Sequence, residues 1–191
     1  MLTVLVIDES RSRAGEICAG LALAGYQVAA ILAGAENLTA EVEKLHPDVI
    51  LSDTDSPSRD TLEHLAAMNK NMPRPVVIFT QEDGQATIRD AVKAGVSAYI
   101  VDGLDPKRIK PIVEVARARF EDTQALRREL DEISQKLSDR KLVDKAKGVL
   151  MKARGIDEDA AYHAMRKLAM ERGQTMAKVA RDVIDMARVL L

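Results

Sequence analysis

Short β-rich apolar runs alternate with stretches of helical spacing through the first hundred residues. The runs Thr3 to Ile7, Tyr26 to Ala30, Val49 to Ser52, Val76 to Phe79 and Ala98 to Val101 predict five strands. Between them, Arg11 to Ala24, Leu38 to Leu45, Thr61 to Met68 and Gln85 to Ala94 carry helical spacing and good helix formers, with Gly25 and Gly95 at the expected stops. Parallel strands need crossover helices, so this alternation predicts an α/β domain built on a doubly wound parallel sheet. Ligands of such sheets sit at the carboxyl ends of the strands.

The pattern changes at Asp105, an N-cap candidate followed by Pro106 at the first helical position. Helical spacing then continues to about Arg154, and Pro111 removes one backbone bond in the second turn without ending it. Ile109, Ile112, Ala116, Phe120, Thr123, Leu126, Leu130, Ile133 and Leu137 recur every three or four residues with charge between them. A seam this narrow and long predicts a parallel homodimeric coiled coil. Three helical segments close the chain, Lys141 to Arg154, Glu158 to Met170 and Met176 to Leu190, with Asp157 and Thr175 as N-cap candidates. Their apolar faces combine Ala146, Ala153, Ala160, Ala161, Ala164, Ala169, Ala180 and Ala187 with Val149, Leu150, Met165, Leu168, Val179, Val183 and Ile184. Small side chains permit close helix approach, so a compact three-helix domain is expected. The predicted division is 1–104 for the α/β domain, 105–140 for the helical linker and 141–191 for the terminal helices.

Charge sharpens this division. Residues 1–104 hold 8 Lys/Arg and 15 Asp/Glu, a net of -7, whereas residues 105–191 hold 20 and 15, a net of +5. The whole chain is nearly neutral at -2 over 191 residues. No run of about 18 apolar residues is present and the start MLTVLVIDES has no signal-peptide pattern, so a cytoplasmic protein without a membrane partner is expected. Cys18 is the only cysteine, which excludes an intramolecular disulfide, and it is read as a small core residue. His46, His64 and His163 lack metal-ligand spacing.

At the front, Asp8 and Glu9 end the first strand, Asp53 ends the third and Thr80 ends the fourth, so the topology collects an acidic cup at one sheet edge. The cup suits Mg²⁺, a hard cation that takes a few carboxylate oxygens and keeps its waters. It also places Asp53 to attack a phosphoryl group, with the Thr80 hydroxyl available to a phosphoryl oxygen. The segments VLVIDE, PDVILSDTDSP, VVIFT and KAGVSAYIVDG resemble the successive strand ends of two-component response-regulator receivers, over residues 1 to about 120. The resemblance implies a receiver-like, flavodoxin-like fold. It makes Asp8 and Glu9 the metal-binding pair, Asp53 a further metal ligand and the phosphoacceptor, and Asp55 the residue whose carbonyl ligates the metal. It also makes Thr80 the signalling hydroxyl and Tyr99 the switch aromatic. Asp102 stands where that family has a lysine, and Gly103 where it usually has a proline. A lysine neutralises the phosphoryl charge, whereas Asp102 adds a carboxylate, so a receiver working through protein contacts is expected. Asp53-Thr54-Asp55 also resembles the Asp-x-Asp of haloacid-dehalogenase-type phosphatases, but the needed lysine and first-strand placement do not match. The chain is expected not to be an enzyme.

At the rear, residues 141–191 carry 11 Lys/Arg against 7 Asp/Glu. Lys141, Lys145 and Lys152 share one face of the first segment and Lys147 and Arg154 another, the electrostatic footprint of a phosphate-backbone binder. The wording KLVDKAKGVLMKARGIDEDAAYHAMRKLAMERGQTMAKVARDVI resembles the ANTAR domain, the RNA-binding antiterminator module of AmiR- and NasR-type regulators. With the receiver-like front, the chain is similar to NasT-type nitrate-responsive antiterminators. The resemblance implies binding of tandem hairpins in leader RNA and control by a separate nitrate or nitrite sensor protein. Lys145, Lys147, Lys152, Tyr162, Arg166, Lys167 and Lys178 are the candidate RNA contacts, Tyr162 by stacking on a base. The alternatives are a helix-turn-helix DNA binder, with a glycine-containing turn at Gly173 and a recognition start at Gln174, Thr175 and Lys178, or a pure protein-interaction adaptor.

Overall fold

The computed structural model of the chain describes residues 1–8, 14–101, 103 and 105–190, the side chains of Ala14, Pro106, Arg188, Val189 and Leu190 excepted. The strands β1 (Thr3–Asp8), β2 (Gln27–Leu32), β3 (Val49–Asp53), β4 (Val76–Thr80) and β5 (Ala98–Val101) form one five-stranded sheet in the order β2-β1-β3-β4-β5. Every pairing is parallel. Helices α1 (Ala14–Leu23), α2 (Leu38–Leu45), α3 (Arg59–Asn71) and α4 (Gln85–Lys93) make the crossovers. Gly25 and Gly95 take φ of +86° and +88° just beyond α1 and α4, a left-handed turn that side chains with a Cβ resist. The predicted start of α1 at Arg11 lies outside the described residues.

Side-chain alternation sorts the strands onto two cores, because successive residues of a strand point to opposite faces. Leu5, Ile7, Ile50, Val76 and Ile78 pack with Leu38, Val42, Leu62, Leu65 and Met68 on the face covered by α2 and α3. Val4, Val6, Val49, Leu51, Val77 and Phe79 pack on the other face with Ile17 and Leu21 of α1. Burial on both faces explains why β1, β3 and β4 read as unbroken apolar runs. Cys18 is half-buried rather than a core residue: its neighbour Ile17 takes the inward position of α1.

Helix α5 spans Pro106–Arg154 with Pro111 inside it. Asp105 caps its start, its carboxylate accepting the Lys107 amide at 2.9 Å. Residues Ile109, Val113 and Ala116 are fully buried on the second core face of the sheet. The apolar seam read from the sequence therefore divides: its first turns belong to the sheet's core. Leu126, Leu130, Ile133 and Leu137 are 54–66% exposed. Two compact units result, Met1–Gln124 and Ala125–Leu191. In the second, α5 packs with α6 (Glu158–Arg172) and α7 (Met176–Leu190) through Ala146, Met165, Ala169, Val179, Ala180 and Ile184. Ala153 and Ala160, expected on the inner faces, are exposed. Asp157 caps α6, accepting the Ala160 amide at 2.8 Å, and Gly173 ends it at φ +60°. Among the described residues no helix is long and apolar enough to cross a membrane.

Tyr26 fastens α5 to the first unit. Its ring is buried, and its hydroxyl donates to Glu114 at 3.1 Å. Burial, reinforced by the hydrogen bond to Glu114, pushes this phenol up to about 12. The folded chain thus holds a proton that the unfolded chain releases at around pH 10. The stability this supplies is full below pH ~10 and is lost as pH rises through the folded value. Urea unfolding midpoints of the wild type should fall more steeply between pH 10 and 12 than those of Tyr26→Phe; parallel profiles would show that the phenol titrates alike in both states.

Candidate functional site

The carboxyl ends of β1 and β3 lie side by side, with Asp8 and Asp53 as register partners. Both side chains are buried, 0% and 1% exposed. The two carboxyl groups make one buried acidic edge at the ends of adjacent strands. A hard cation that takes one or two carboxylates and keeps several waters fits that donor set. Among the described residues no three His, Cys, Asp or Glu side chains converge into a metal cluster. Glu9 and Asp102, a predicted ligand and the residue in place of the family lysine, lie outside the described residues.

Beside the carboxylates, Thr80 ends β4 and is 1% exposed. Its hydroxyl donates to the Asp55 carbonyl at 2.9 Å and accepts the Glu82 amide at 3.1 Å. The Gln81 amide also donates to that carbonyl, at 3.2 Å. A carbonyl has two lone pairs, so these two bonds occupy the acceptor that the resemblance assigns to a metal. Tyr99, on β5, donates its hydroxyl to the Glu82 carbonyl at 2.9 Å, and burial pushes its phenol up. Thr80 and Tyr99 are thus joined through the backbone of Glu82. No sequence signal marks Glu82, because it contributes its amide and its carbonyl to this network rather than its side chain.

In the second unit the predicted contacts separate by how their charge is met. Lys147, 14% exposed, reaches Asp144 at 2.8 Å and Glu158 at 2.6 Å and so ties α5 to the start of α6. Those two carboxylates hold its ammonium above the usual lysine range. Lys167 pairs with Glu171 at 3.9 Å and Lys178 with Asp182 at 3.0 Å, each on its own helix. Lys145, Lys152 and Arg166 are exposed, and among the described residues no carboxylate pairs with them. Tyr162 is 40% exposed and stands edge-on to the His163 ring, 5.9 Å between centroids. It is a surface aromatic. His163 and His64 each bond the carbonyl four residues earlier, at 2.8 Å.

Comparison with known proteins matches a separate family to each part of the chain. The response regulator receiver domain matches residues 4–114 and the ANTAR domain residues 131–184. The transcriptional regulatory protein PdtaR of Mycobacterium tuberculosis is 32% identical over 162 residues, 84% of this chain and 78% of that protein. The nitrate regulatory protein of Klebsiella oxytoca is 36% identical over 75 residues, 39% of this chain and 19% of its own length. In fold, a CheY-like receiver from Methanospirillum hungatei matches 64% of this chain and 98% of its own at 20% identity, with a TM-score of 0.56. A parallel sheet with an acidic carboxyl edge, a long helix and an alanine-rich bundle with displayed cations thus places the chain in the family of response regulators that carry an ANTAR domain.

Proposed function

We propose that the chain is a cytosolic antitermination regulator that binds tandem hairpins in leader RNA of nitrate or nitrite assimilation genes. The observation that carries this reading is that Lys145, Lys152 and Arg166 of the ANTAR unit are exposed and, among the described residues, have no carboxylate partner. Cations already neutralised by their own helix contribute little to a polyanion, whereas unpaired ones release counterions when phosphates replace water. Stems are gripped through phosphates and 2′-hydroxyls, and unstacked loop bases offer faces to an exposed ring such as Tyr162. The likeness to a nitrate regulatory protein supports the nitrate assignment. In a salt titration against a two-hairpin RNA, its loop mutants and duplex DNA, the intact hairpins should bind best. Lys145→Ala and Lys152→Ala should each lower the salt slope by about one. Preference for duplex DNA would support a helix-turn-helix reading instead, and binding to neither an adaptor. Nitrate or nitrite should raise read-through of a leader reporter through a separate sensor protein; a reporter indifferent to both removes the nitrate assignment.

The receiver works through protein contacts rather than phosphotransfer. Asp102 in place of a lysine supports this, as does a Thr80 hydroxyl already donated to the Asp55 carbonyl. Asp8 and Asp53, with Glu9 by resemblance, would hold Mg²⁺, which when bound offsets the carboxylate charge. Incubation with a small phosphodonor and Mg²⁺ should leave Asp53 unmodified, and stoichiometric aspartyl phosphate there would sink the assignment.

The exposed seam Leu126, Leu130, Ile133 and Leu137 has the four-three-four spacing of a coiled coil, and a second copy is its partner. Sedimentation should give a dimer for the wild type and a monomer for the double variant Leu130→Glu, Ile133→Glu. A wild type that sediments as a monomer at all concentrations removes the dimer.

A further inference from the structure

Gly148 lies in the interior of α5, and a Cβ built there would meet nothing within 4 Å. Glycine inside a helix weakens it relative to alanine, because it loses more backbone freedom and packs no side chain. At Gly155 and Gly173 a φ of +64° and +60° justifies the residue; Gly148 sits in regular helix with no such turn. Ala146, almost opposite on the helix, is the residue buried in the bundle. The chain's own packing therefore does not require a bare position at 148.

The surroundings of that position do point to an occupant. Residues seven and three before and four after Gly148 share its face, and these are Lys141, Lys145 and Lys152. All three are exposed, and among the described residues none pairs with a carboxylate. Asp144 is on the same face, but Lys147 bonds it at 2.8 Å, so its charge is met within the chain. Lys152 lies eleven positions after Lys141, about 16 Å of helix, enough for three ammonium groups to meet successive phosphates of one strand.

We propose that Gly148 is the point of closest approach between α5 and RNA: the sugar-phosphate strand of a stem lies against the bare helix backbone there, flanked by Lys141, Lys145 and Lys152. This rests on the RNA-binding reading above and adds its contact point and one further cation, Lys141. A second copy of α5 on this face would set lysines against lysines, and the apolar seam stops at Leu137, where they begin. A polyanion has the complementary charge.

The test uses the full chain and a synthetic two-hairpin RNA selected by the wild type from a loop-randomised pool. Gly148→Gln should keep or raise the melting temperature, since it replaces glycine with a better helix former in open space. It should weaken RNA binding at least tenfold with an unchanged salt slope, Gly148→Ala should do so less, and Lys141→Ala should lower the slope by about one. Wild-type affinity in Gly148→Gln overturns the contact point while leaving RNA binding intact. A lowered melting temperature also counts against it, because the fold itself would then need the glycine. If the wild type selects no hairpin from the pool, the RNA reading fails and this inference with it.

Discussion

The sheet's second face has to be closed, and α5 helps α1 close it. Val4, Val6, Val49, Leu51, Val77 and Phe79 all point to that side, and Ile109, Val113 and Ala116 pack against them with Ile17 and Leu21. Removing three buried apolar side chains from such a face costs several kcal/mol. The same helix later supplies Ala146, with Leu142, Val143 and Leu150 packed around it, to the core of the second unit. Neither unit has a complete core without α5. Its bounds are therefore fixed by packing at both ends, and propensity only has to carry the turns between. This is why Pro111 is tolerated: the lost backbone bond falls in a stretch whose neighbours Ile109 and Val113 are already held by the sheet.

Placement at strand ends does the rest of the work in the first unit. Parallel strands bring Asp8 and Asp53 to the same level, and β4 brings Thr80 to the next strand end. What the Thr80 hydroxyl then does depends on which acceptor is nearest. It finds the Asp55 carbonyl, and the Glu82 amide and carbonyl extend the connection to Tyr99. The result is a hydrogen-bonded path between the acidic edge and the outer strand β5 that is made entirely of groups the chain supplies.

Much of this was legible in the sequence, for reasons that differ by region. Strands buried on both faces give unbroken apolar runs, so β1, β3 and β4 stand out, and glycines at positive φ mark the stops of α1 and α4. The division of the α5 seam was not legible. Ile109 and Leu130 satisfy the same three-four spacing, and periodicity records which residues share a face without recording what covers it. Val113, fully buried, was missed because Ile112 satisfies that spacing too. The alanines behaved similarly: Ala146 and Ala153 read alike, yet one is buried and the other exposed.

Composition also hid the difference among cations. Lys145 and Lys147 are two residues apart and equal in any count of charge, but on a helix they face directions some 200° apart. That rotation decides which of them meets a carboxylate. Lys147 turns toward Glu158 and joins two helices, so removing it would disturb the bundle before it disturbed any ligand. Lys145 turns outward with Lys141 and Lys152, and among the described residues no carboxylate pairs with it. A net excess of basic residues is therefore a poor guide to a polyanion site. The better guide is which cations the fold itself has not already neutralised, and whether they share a face.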